Sequence, residues 1–212
     1  MSEKTIDRPT RFALPSRLLH WTMAPLVIAQ LVIGVAMVAS LTGYDLLRAI
    51  HRPLGIVILI FVVIRIGNRL LHRPPRFPST MRPLERRVAK GSEYLLYALL
   101  LVQPVIGWAM LSAAGSPIVL YRSLHLPAIA PHDTSVYALL RQSHTILAYL
   151  LFLTFTAHLC AVMFHTLVLG DRTLDRMTLQ PIRGTTPVAE PTDNHTSTPA
   201  DATTTTLHRP LN

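Results

Sequence analysis

The sequence predicts an all-α protein, a transmembrane four-helix bundle, and three observations carry that reading. First, 50% of the 212 residues are hydrophobic, only 15% are charged, and mean hydropathy is +0.38, values outside the range of an ordinary soluble domain. Second, four windows are long and apolar enough to cross a bilayer, which takes roughly 20 residues. Third, the basic residues sort onto alternate sides of those windows. Sixteen of the twenty Lys and Arg fall on one side: Lys4, Arg8, Arg11, Arg17, the group from Arg65 to Lys90, and Arg172, Arg176, Arg183 and Arg209. The other side receives Arg48, Arg52, Arg122 and Arg141. By the positive-inside rule both termini and the middle loop are cytoplasmic. The net charge of +9 is thus a topology signal, and nucleic acid is excluded as a partner.

Taken in order, residues 1–16 form a polar arm, with Pro15 and Ser16 as helix start signals. Helix one carries the charge-free run Trp21 to Leu41. A short outer loop leads to helix two, which opens at His51 with Pro53 in its first turn. Its span, Pro53 to Leu71, is interrupted by Arg65 and Arg69. Arg73 to Lys90 reads as a basic, proline-containing inner loop. Helix three is expected from about Gly91 to Ala113, kinked by Pro104. Gly115 to about Thr134 holds Pro117, Pro127 and Pro131 and reads as loop. Helix four is expected from near Val136 to near Gly170. Residues 17–177 thus form the bundle. Thr178 to Asn212, rich in Thr, Pro and Asp, reads as a disordered cytoplasmic tail. No internal repeat is read from the sequence. Cys160 is alone, so no internal disulfide forms, and no C-x-x-C-H is present for covalent haem attachment.

The histidines carry the chemistry. His144 and His158 lie in a 26-residue stretch, His144 to Leu169, without Asp, Glu, Lys or Arg. Fourteen residues of α-helix turn about 1400°, within about 40° of four full circles, and rise about 21 Å. Both imidazoles therefore share one face near opposite sides of the hydrocarbon core, where ionisable groups are costly and read as functional. Depth supplies partners: His51 sits outside with His144, and His20 inside with His158. Two facing imidazoles with no nearby Cys or carboxylate suit a six-coordinate haem iron, whereas zinc wants four ligands from a cluster that the sequence lacks. Two non-covalent haem b groups, each held by two histidines, follow.

Other residues repeat the spacing. Gly34 lies fourteen after His20, where a missing side chain makes room for a porphyrin. Arg65 lies fourteen after His51, with Arg69 one turn beyond, either snorkelling or meeting a haem carboxylate. Arg52 and Arg141 could serve propionates at the outer level. His165, seven residues after His158 and about 10 Å deeper on the same face, is the alternative inner ligand. Nearness to Gly170 and Asp171 favours His158 as the ligand and His165 as a partner of a propionate or a proton carrier. Trp21 reads as an interfacial anchor and then as a haem-packing ring. His125 and His132 are candidates for an outer pocket.

The ordered set LLHW at His20, IHRPLGI at His51, QSHTILAY at His144, HLCAVMFH at His158 and His165, then GDRTLDRM resembles the bacterial cytochrome b561 family over residues 10–178. The resemblance implies a four-helix di-haem b cytochrome of the inner membrane, with His20, His51, His144 and His158 as axial ligands. It also implies superoxide oxidation coupled to ubiquinone reduction, with electrons entering from a periplasmic donor. Two other readings stay open. One is a cytochrome b subunit anchoring a hydrogenase-type complex. The other is a haem-free transporter lined by histidines, disfavoured because the spans contain no acidic residue.

Overall fold

A computed structural model describes residues 11–39, 43–72, 75, 81–116, 118, 119, 125–170, 174 and 177–179. Most of the expected arm and nearly all of the expected tail lie outside them, as does Arg122. Four helices dominate: α1 (Leu14–Ala39), α2 (Tyr44–Leu71), α3 (Pro83–Ala113) and α4 (Thr134–Met163). All four are long and apolar enough to cross a membrane. Among the described residues there is no strand, only an isolated bridge between Val119 and His125.

Three helix starts differ from the sequence reading. Helix α1 begins at Leu14, inside the expected arm, so Pro15 falls in its first turn, where a missing N–H costs nothing. Helix α2 begins at Tyr44, seven residues before His51, so Pro53 is interior rather than initial. Asp45 stands in that first turn and pairs with Arg48 at 3.1 Å, the acidic side chain complementing the helix N-terminus. Helix α3 begins at Pro83, eight residues before the expected Gly91, in what reads as inner loop. Pro83 opens the helix, and the Glu85 carboxylate accepts the Arg82 backbone N–H at 3.2 Å, a local stop that charge counting does not register. Helix α4 starts close to expectation, because Asp133 accepts from the Ser135 and Val136 N–H groups at 2.7 and 2.9 Å.

The far end of α4 also departs from a plain α-helix. At Phe164 the backbone widens into a π-helical turn through Val168, and Gly170, with φ 62°, ends it. Proline is accommodated inside three helices, at Pro25, Pro53 and Pro104.

The tightest pairings are the hairpins α1–α2 and α3–α4, with α2 against α3 between them. A small core of Met23, Val27, Ile58 and Val62 fills the middle of the bundle, flanked by Leu100, Leu101 and Phe155. Val62 is fully buried. Large apolar residues such as Val32, Val38, Ile60 and Leu153 are more than half exposed, as expected of surfaces that meet lipid rather than protein. Polar side chains on the spans bond back to their own helices: Thr154 and Thr156 donate to Leu150 and Phe152 carbonyls at 2.7 and 2.8 Å. Such back-bonding satisfies hydroxyls where no water is present.

Candidate functional site

Two histidine tiers sit above and below the apolar core, one turn or so from its nearest members. At the outer tier the rings of His51 on α2 and His144 on α4 face each other with centroids 6.4 Å apart and planes at 76°. A metal–imidazole bond of about 2.0 Å plus about 1.1 Å from nitrogen to ring centre puts two trans rings about 6.2 Å apart. The spacing therefore fits one metal ion between the two imidazoles. Among the described residues no group of three or more His, Cys, Asp or Glu could hold a metal, so this two-ligand arrangement needs a group that brings its own equatorial donors. A haem does so.

The surroundings of this pair contain residues that the sequence reading passed over. Gln30 on α1 donates to the His51 carbonyl at 3.1 Å, and Gln103 on α3 donates to the His144 carbonyl at 2.9 Å. One turn further along each of those helices stands a glycine. A Cβ at Gly34 would meet His51 Cε1 at 3.7 Å; one at Gly107 would meet His144 Cε1 at 3.1 Å and Nδ1 at 3.4 Å. Gly34 thus lies at the outer level as expected, and Gly107 is its unforeseen counterpart. The segments read Gln-Leu-Val-Ile-Gly at 30–34 and Gln-Pro-Val-Ile-Gly at 103–107. The expectation of no internal repeat is therefore corrected: a five-residue unit recurs, and the signal was two identical triplets behind a spaced Gln.

At the inner tier Arg65 of α2 ties three helices together. Its Nε donates to Tyr97 Oη at 3.1 Å, Nη1 to the Ser16 carbonyl at 3.3 Å, and Nη2 lies 3.3 Å from His20 Nδ1. Arg65 therefore does not snorkel; it turns inward. His158 on α4 interacts electrostatically with both His20 and Arg65, which places it with them at this level. Trp21 stands edge-on to His20, centroids 5.8 Å apart, and its indole N–H reaches the Met177 carbonyl at 2.8 Å. It serves as ring neighbour and as tether at once. Arg11 and Arg17 hold the Thr178 carbonyl, each at 2.8 Å, so the start of α1 is strapped to the segment that follows α4. Arg69 pairs with Glu93 at 3.0 Å, which removes it from the candidates for a free cation.

His165 lies in the π-helical turn, edge-on to Phe164 at 6.2 Å. The α-helical register that carries His158 runs to Met163, and His165 is the second residue of the π-helical turn that follows. Arg141 is exposed on α4, three residues before His144. His132 is taken up by the loop: Nδ1 lies 3.0 Å from the Ala113 carbonyl and the ring covers Gly115. The outer cavity of about 210 Å³ is lined by Trp108, Ser112, Gly115, Ser116, Ile118, Leu126 and Ala128, without His125 or His132.

Comparison with known proteins identifies the family. The family model for prokaryotic cytochrome b561 matches residues 11–179. Cytochrome b561 homolog 2 of Escherichia coli (strain K12) is 27% identical over 175 residues, covering 81% of this chain and 93% of that protein. A probable superoxide oxidase, CybB, of Yersinia pestis is 28% identical over 160 residues, 75% of this chain and 90% of the relative. Cytochrome b562 of Cereibacter sphaeroides is 28% identical over 169 residues, 75% and 89% of the two chains.

Proposed function

The chain belongs to the prokaryotic cytochrome b561 family, and from that premise we propose a di-haem b-type cytochrome that oxidises superoxide at the periplasmic face and delivers the electrons to ubiquinone. Membrane electron transfer and haem b are what the family implies; the second haem, the donor and the quinone are our reading. It rests on one observation above all, the 6.4 Å separation of His51 and His144 on different helices. A similar protein named as a probable superoxide oxidase favours superoxide over other periplasmic donors.

His51 and His144 would hold the outer group, and His20 and His158 the inner one. Haem b supplies a reversible one-electron change at iron. The chain does the rest. Helices α2 and α4 keep the outer imidazoles opposed; α1 and α4 would supply the inner pair. Arg65 places a cation at the inner tier, suited to a propionate. Two superoxide anions yield two dioxygen molecules, and the two electrons with two protons convert ubiquinone to ubiquinol. His165, seven residues beyond His158, would pass a proton to the quinone. The bundle lies in the bacterial inner membrane, and the charge distribution supports an orientation with both termini cytoplasmic.

The test is the reduced-minus-oxidised spectrum of the purified protein with its haem content, followed by superoxide-driven ubiquinone reduction in reconstituted vesicles. Two low-spin b haems per chain and quinol formation are expected. One haem, or none, overturns the reading.

A further inference from the structure

A glutamine inside a membrane span is expensive to bury, and this chain buries two of them in equivalent places. Helix glue is the ordinary role for such residues, yet glue alone asks only for some carbonyl on the facing helix. Here both carbonyls belong to the outer histidines, although the sequences around His51 and His144 differ. Of the eight buried side-chain polar atoms without a hydrogen bond among the described residues, four belong to these two pairs: Gln30 Oε1, Gln103 Oε1, His51 Nδ1 and His144 Nδ1. An imidazole that ligates through Nε2 carries its proton on Nδ1 and needs an acceptor there. The four atoms therefore divide into two donors and two acceptors, one of each beside each histidine.

We propose that Gln30 and Gln103 are positioning residues for the outer haem ligands, each carboxamide holding its histidine twice. The Nε2 group donates to the histidine carbonyl, and Oε1, unbonded in the structure, accepts the ring Nδ1–H once the histidine ligates through Nε2. The glycine one turn on leaves the ring edge uncovered. On α3 the ring edge that faces Gly107 carries Cε1 and Nδ1. Gly55 completes the arrangement on α2, since a Cβ there would crowd Gln30 Nε2 at 3.3 Å. The proposal rests on the di-haem reading. It adds that the protein fixes the tautomer and ring orientation of both outer ligands and raises their basicity, which holds the outer potential down.

The experiment uses the full-length haem-loaded protein with Gln30→Met and Gln103→Met, singly and together. Haem transfer to excess apomyoglobin, redox titration and the low-spin electron paramagnetic resonance signal are read for each haem. Loss of the outer haem should quicken about tenfold or more in each variant. The outer potential should rise by the equivalent of up to about tenfold in the oxidised-to-reduced ratio, about 59 mV, with the inner haem unmoved. Gln→Glu, a neutral carboxyl in that apolar setting, keeps a donor and an acceptor and should restore the wild-type signal. Unchanged outer signals, or equal movement of both haems, would reduce the glutamines to glue and overturn the proposal. If a methionine variant loses its outer haem completely, the Glu variant decides: restored haem upholds the role, and continued loss overturns it. Failure of the di-haem reading is seen separately, in wild-type protein that carries fewer than two haems.

Discussion

Nη2 of Arg65 lies 3.3 Å from Nδ1 of His20, joining α2 to α1 at the inner tier. A guanidinium only donates, so Nδ1 is the acceptor in this contact and the ring proton sits on Nε2. Iron bound at Nε2 needs that nitrogen free of hydrogen. If His20 holds the inner haem through Nε2, as proposed, loading would require Arg65 to release it, and a propionate is the partner that can draw it away. Replacing Arg65 with Gln removes a positive charge that disfavours the oxidised haem. At roughly 8 Å and an effective dielectric near 20, that charge amounts to about 2 kcal/mol. The inner potential should fall by some tens of millivolts and the outer one should hold, as redox titration with spectral separation of the two haems will register.

His144→Ala removes a ligand of the outer tier and touches nothing at the inner one. Haem content per chain, from the pyridine haemochrome, should drop by about half, and the low-spin signal that survives should be the inner one. Retention of both haems would break the pairing of His51 with His144.

The two outer glycines should not respond alike. A methyl at Gly107 meets the His144 ring at 3.1 Å, tighter than normal contact, whereas at Gly34 the distance to His51 is an ordinary 3.7 Å. Gly107→Ala should displace the ring and cost about 1–3 kcal/mol as overpacking. Gly34→Ala should be neutral or stabilising by up to about 1 kcal/mol, the helix preference for alanine. Thermal unfolding in detergent, followed at the haem absorption, compares them directly.

His158 and His165 separate by phenotype. His158→Ala should remove the inner haem. His165→Ala should keep both haems and slow quinone reduction, measured as turnover in vesicles. A variant at His165 that loses the inner haem would exchange the two assignments.

The four spans were legible because hydrophobic length survives any detail of packing, and the outer pair was legible because alternating spans bring His51 and His144 to the same depth. What the sequence hid follows from the same dependence on pattern. Helix α3 starts eight residues before its apolar run because Pro83 and Glu85 satisfy its first turn in a charged stretch; hydropathy sees only the part in lipid. The glutamine repeat escaped because Gln reads as an isolated polar interruption until the facing carbonyl is known. The π-helical turn at Phe164–Val168 was not foreseen, because no residue in it announces a change of helix type.

The layer between the tiers, Met23, Val27, Ile58 and Val62, contains no ionisable side chain. An electron crossing it travels alone, since nothing there can relay a proton in company. On the proposed function, the protons of quinol formation would then be collected on the cytoplasmic side, and each turnover would leave charge separated across the bilayer. Detoxifying an oxidant outside would in this way act on the membrane voltage, and a pre-imposed voltage should in turn speed or stall the reaction.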